Sequence, residues 1–138
     1  MPPDERRVRV LIAVSPRAAD RLGRILRGHR QEWARSLREL MDAVQGSSFD
    51  LVIVGAHFDG SRTIEALKTV RQHAPQAPLV CLRAAPFCNP LGGATLAALH
   101  TAAEELGIEC FVDLLNFPDD DSGNARVRAM LERLVFVT

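Results

Sequence analysis

Short apolar runs alternate along the chain with longer stretches in which apolar residues recur every three or four positions. The first run, from Val8 to Val14, is rich in β-branched residues and is broken by Ser15-Pro16, the pattern of a buried strand entering a helix. Ser15 is the expected N-cap with Pro16 at the first helical position, Leu22, Ile25 and Leu26 form the buried stripe, and Gly28 ends the helix. A short strand is predicted over 31–35, and Ser36 then caps a helix carrying Leu37, Leu40, Met41 and Val44, which stops at Gly46-Ser47-Ser48.

Leu51-Val52-Ile53-Val54 is the clearest strand of the chain, followed by a loop through Gly60 and by a helix from Ser61 with Ile64, Leu67 and Val70 inward. Pro75 and Pro78 bracket the turn into a fourth strand, Leu79-Val80-Cys81-Leu82. A loop from Ala85 to Gly93 leads to a helix through Leu96, Leu99, Ala103 and Leu106. A fifth strand is expected over 108–115, an acidic loop over 116–123, and a last helix over 125–135. Five βα repeats with continuously apolar strands predict an α/β fold, a doubly wound five-stranded parallel sheet with helices on both faces. In such sheets ligands meet the loops at the carboxyl ends of the strands.

Met1 to Arg7 holds two prolines and no apolar period, so residues 1–7 read as a flexible leader and 8–138 as a single domain. At 138 residues, with 47% apolar and 25% charged, the composition is that of a soluble globular protein, and no run approaches the ~18 residues of a membrane span. Lys plus Arg equals Asp plus Glu at 17 each, so no net field draws the molecule to nucleic acid or to an anionic membrane. Six arginines, Arg21, Arg24, Arg27, Arg30, Arg35 and Arg38, nevertheless crowd one segment; a solvated helix face is the expected reading, a partner site the lesser one. Cys81, Cys88 and Cys110 are an odd number without CxxC spacing, and no signal segment precedes them, which fits a reducing, cytoplasmic setting.

The stretch Asp50-Leu51-Val52-Ile53-Val54-Gly55-Ala56-His57-Phe58-Asp59-Gly60 resembles the third strand and following loop of bacterial response-regulator receiver domains, which usually read DLVLLDxxMPG. Ile64 to Arg71, Pro78 to Ala84 and Gly107 to Leu115 resemble later segments of that family, and the likeness extends from Val8 to Val135 with a longer loop at 85–95. The resemblance implies a flavodoxin-like strand order 2-1-3-4-5 and a signalling role. It also implies five chemical positions: a phosphoacceptor Asp, matched here by Gly55; an acidic pair for Mg²⁺, matched by Val14 and Ser15; a hydroxyl that senses phosphate, matched by Arg83; and a Lys, matched by Leu114. None carries the family's side chain, so the chain resembles a degenerate, pseudo-receiver form, with no metal and no cofactor expected.

Other chemistry is thin. His57 within Gly55 to Gly60 echoes the cobalt-ligating motif of cobalamin-binding domains, but that motif follows the first strand and begins with Asp. A phosphate-binding glycine turn, a GxSxG elbow and a paired-carboxylate site are all absent. His57, Asp59, Arg83, Cys88 and Asn89 are expected at the carboxyl edge and form the one speculative ligand site, with Arg83 pairing Asp59 as the plainer alternative. The sequence therefore predicts a phosphorylation-independent, non-enzymatic interaction module with a protein partner or a homodimer. The alternative is a small-ligand or enzymatic domain using the 85–95 loop.

Overall fold

The structure, a computed structural model, describes residues 7–60, 62–85 and 92–136, with the backbone alone for 92–95. Five strands, β1 (Arg9–Ala13), β2 (Arg30–Trp33), β3 (Leu51–Gly55), β4 (Leu79–Arg83) and β5 (Cys110–Asp113), alternate with five helices. The helices are α1 (Pro16–Ile25), α2 (Leu37–Gly46), α3 (Thr63–His73), α4 (Gly92–Glu105) and α5 (Asp121–Phe136). All strand pairs are parallel and the order is β2-β1-β3-β4-β5, the doubly wound arrangement that the sequence predicts.

Because side chains alternate along a strand, the central strands feed two half-cores. Val10, Ile12, Leu51, Ile53, Val80, Leu82 and Val112 pack under α1 and α5 with Leu22, Ile25, Val127 and Leu131. Leu11, Val52, Val54, Leu79 and Cys81 pack under α2, α3 and α4 with Leu40, Val44, Leu67, Val70 and Leu99. Every residue of β3 is buried, which explains its uninterrupted apolar run.

Arginines tie the ends of the first face together. The half-buried Arg21 donates to the carbonyls of Leu114, Phe117 and Pro118 and to Asn124 Oδ1, anchoring α1 to the β5–α5 connection. Arg128 donates to the carbonyls of Ile25 and Arg27, satisfying the C-terminal end of α1.

Several boundaries differ from the sequence reading. Ser15 precedes α1 in extended conformation, but its hydroxyl makes no capping bond, whereas Ser36 does accept from the Glu39 N–H at 3.1 Å. β2 spans 30–33 rather than 31–35, and β5 ends at Asp113, where a 3₁₀ turn, Leu114–Asn116, begins. The helix α3 begins at Thr63, not at Ser61, which lies outside the described residues. Gly92 and Gly93, read as the end of the loop, already belong to α4. The expected acidic loop is shorter because Asp120 is an N-cap, its carboxylate accepting from the Gly123 N–H at 2.8 Å, so α5 starts at Asp121 instead of Ala125. Of the expected leader 1–7, only Arg7 falls within the described residues, and it is exposed.

Candidate functional site

The carboxyl edge of the sheet gathers the ends of β1, β3, β4 and β5. Ala13 faces Val54 across the β1–β3 pair, so Val14 and Gly55 lie side by side one step beyond. A Cβ on Gly55 would stand 3.1 Å from Cα, Cβ and Cγ1 of Val14, closer than ordinary van der Waals contact. The Val14 isopropyl group thus holds the space that a side chain at 55 would need. The Gly55 carbonyl is also committed, accepting from Thr63 Oγ1 at 2.7 Å and from the Phe58 N–H at 3.1 Å. Ser15 is half-buried, and Leu114 is 1% exposed within the α1/α5 half-core.

Arg83 ends β4 directly opposite Asp113 of β5, and its Nη2 donates to Asp113 Oδ2 at 2.7 Å. The pair is well shielded, at 17% and 19% side-chain exposure, so the guanidinium charge at the end of β4 is neutralised within the fold. The expected Arg83–Asp59 pairing is not formed. Asp59 instead sits in left-handed conformation, φ 45°, and accepts from the Leu37 N–H at 2.8 Å, supplementing Ser36 at the start of α2. His57 is half-buried, with Nε2 3.2 Å from the Ala85 carbonyl, which bridges the β3 and β4 loops at the root of the following segment. Cys88 and Asn89, the other two members of the speculative site, lie outside the described residues. Among the described residues no group of three His, Cys, Asp or Glu side chains is placed to hold a metal ion, and no helix is long and apolar enough to cross a membrane.

One feature of this edge escaped the sequence reading. Between the start of α1 and the end of β2 lies an open cleft of about 670 Å³, walled by Val14, Pro16, Ala19, Asp20, Trp33, Ala34 and Arg35. Trp33, the chain's single tryptophan, is 38% exposed beside it. The signal lay in the weakest predicted strand: an aromatic in a run otherwise too polar to read as buried.

A five-stranded parallel sheet in this order, with helices on both faces, is the fold of response-regulator receiver domains. Among solved structures, the chain is similar to a response regulator from Hahella chejuensis, at 18% identity and a TM-score of 0.70 over 94% of this chain and 96% of that one. It is similar to a protein described as adenylate cyclase from Rhodopirellula baltica, at 16% identity and a TM-score of 0.67 over 94% and 90%. A third likeness, at 14% identity and a TM-score of 0.65 over 94% and 98%, is the receiver domain of a sensor histidine kinase from Pseudomonas aeruginosa, in which a magnesium ion is coordinated in the active-site cleft. No family model and no curated protein matches the sequence. At these identities the likeness establishes the fold, and the chemistry has to be read from the edge itself.

Proposed function

We propose that this chain is a receiver-fold signalling module that works without phosphoryl transfer, through contact with another protein. The observation that carries the reading is the packing of Val14 against Gly55: the nucleophile position is a glycine whose Cβ space is already filled. Its neighbours agree. Magnesium needs hard oxygen ligands, and Val14 and Ser15 offer no carboxylate where receivers place an acidic pair. Leu114 supplies apolar packing in place of a lysine, and the charge of Arg83 is paired with Asp113 through Nη2, although its buried Nε makes no hydrogen bond among the described residues.

The contact face follows from what the fold leaves outward on the α4–β5–α5 side. Ala97, Ala98 and Thr101 of α4 are exposed and small, and Leu115 and Phe136 are large apolar residues open to solvent. The decisive experiment incubates the protein with acetyl phosphate and Mg²⁺ and follows the intact mass. An unchanged mass is expected, and stoichiometric phosphoryl addition would overturn the reading.

A second reading, a small-ligand or enzymatic site at the carboxyl edge, draws on the bridge from His57 to Ala85 at the root of the 85–95 segment. A thermal-shift screen of metabolites and metals beside light scattering separates the two. Saturable stabilisation of a monomer favours the ligand site, and a dimer without ligand response favours the contact module.

A further inference from the structure

β2 lies at one edge of the sheet and, among the described residues, pairs with β1 alone. The N–H groups of Arg30 and Ala34 donate to Val8 and Ile12 of the β1 side, at 2.9 Å each. Along a strand, backbone groups alternate in direction, so the N–H and C=O of Gln31 and Trp33 face away from the sheet. This is an open hydrogen-bonding edge, ending at the cleft beside Trp33.

Its electrostatics are dominated by arginine, and Asp20, the acid in the cleft wall, is held by Arg24 at 3.1 Å. Between Arg21 and Arg38 stand six arginines and one acid, Glu32. Glu32 is taken by Arg9 at 2.7 Å, and Arg21 and Arg24 are taken by carbonyls, Asn124, Asp20 and Asp119. Arg27, Arg30, Arg35 and Arg38 are exposed, and no hydrogen bond or ion pair forms at their guanidinium groups among the described residues. Arg30 even faces Arg9 across the strand pair. Natural proteins guard sheet edges with like charges, because such charges deter a second copy of the same edge. Two β2 edges brought together would oppose these arginines to themselves. The same charges favour an extended acidic segment, to which the outward backbone offers a ladder and the Trp33 cleft an apolar seat.

We propose that β2 is a docking edge for an extended, acidic segment of a partner protein, added as a further strand and anchored beside Trp33. This rests on the reading of the chain as a protein-contact module and names the partner's chemistry. It adds a second contact, at the edge opposite β5, to the one on the α4–β5–α5 face.

Because Trp33 is the only tryptophan, its fluorescence reports occupancy of the edge directly. The full chain is titrated with a blocked heptapeptide of alternating glutamate and valine, with the same peptide carrying proline for each valine, and with alternating lysine and valine. Saturable change in Trp33 emission is expected for the first peptide only, weakening as salt is raised. The double substitution Arg30→Glu, Arg35→Glu is expected to weaken it by roughly tenfold or more, since it reverses two charges at the rim. Gln31→Pro, which removes an outward N–H and leaves the β1 ladder intact, is expected to do the same, while Gln31→Ala, which loses only the side-chain bond to the Gly23 carbonyl, is expected to bind like the parent. A thermal melt checks that each variant folds; if Gln31→Pro does not, the charge reversal alone decides. No saturable response, or equal responses to the proline or lysine peptides, overturns the edge proposal. Acetyl phosphate treatment of the same preparation keeps the two readings apart. An unlabelled chain that ignores the acidic peptide refutes the docking edge alone, whereas a labelled chain refutes phosphorylation independence whatever the peptide does.

Discussion

Replacing Gly55 by alanine tests whether Val14 closes the space at the end of β3. The new methyl would meet three Val14 atoms at 3.1 Å, on a backbone held by the β1–β3 pair and by Thr63. Overpacking of this kind costs about 1–3 kcal/mol. Opposing it, alanine restricts the unfolded chain more than glycine does, a gain of about 0.4–1 kcal/mol. The expected net loss is therefore about 1–2 kcal/mol, read as a fall in Tm of roughly 3–10 °C for a chain of this size. The neighbour supplies the control: Val14→Ala alone loses buried methyls and costs about 1–2 kcal/mol, yet it also removes Cγ1 from the clash. In the double variant the two losses should add to less than their sum, by about 0.5–1 kcal/mol. Urea denaturation of all four proteins measures the cycle. Gly55→Ala as stable as the parent, or strictly additive losses, would refute the interlock. Gly55→Asp is expected to lose more than the alanine variant, since it also buries a carboxylate in apolar surroundings, and to remain unlabelled by acetyl phosphate.

Three further outcomes follow from the structure. Arg21→Ala strands the carbonyls of Leu114, Phe117 and Pro118 and should cost about 2–3 kcal/mol in urea denaturation. Asp119, held below the usual carboxylate range by hydrogen bonds from Arg24 and Asn124 and by the charges of Arg24 and Arg21, contributes stability above its unfolded pKa of about 4 and loses it as pH falls. Asp119→Asn should thus be less stable than the parent at pH 7, with the gap closing below about pH 4 in parallel melts. Burial pushes the Cys81 thiol up to about 12, so peptide mapping after iodoacetamide at about pH 8 should find Cys81 unmodified in the folded protein and alkylated in urea; labelling of the folded chain at that residue would contradict its burial.

The fold was legible because its three central strands are buried on both faces. A run such as Leu51 to Val54 can only be an interior strand of a parallel sheet, and the punctuation by Pro16, Gly46 and Pro78 separated the repeats. Boundaries were less legible where one residue type serves two purposes. Asp119 to Asp121 looked like a like-charge run, although Asp119 is an ion-pair partner and Asp120 a helix cap. The positions at the carboxyl edge could be located by resemblance, but not the contacts each of them makes. That Val14 fills the space over Gly55, that Arg83 meets Asp113, and that Asp59 turns back to α2 are relations between segments about 20 to 40 residues apart, set by strand register rather than by local spacing. The Trp33 cleft was hidden for the same reason: half of its wall comes from α1 and half from β2.

The fit of Val14 over Gly55 also bears on how such a sequence can change over generations. An acid at 55 must enter a space that valine fills, and a smaller residue at 14 must first leave that space empty. Either single step passes through a weaker fold, so the two positions are bound to move together. Change at either position is therefore slower than change at the surface, and the two are expected to vary as a pair.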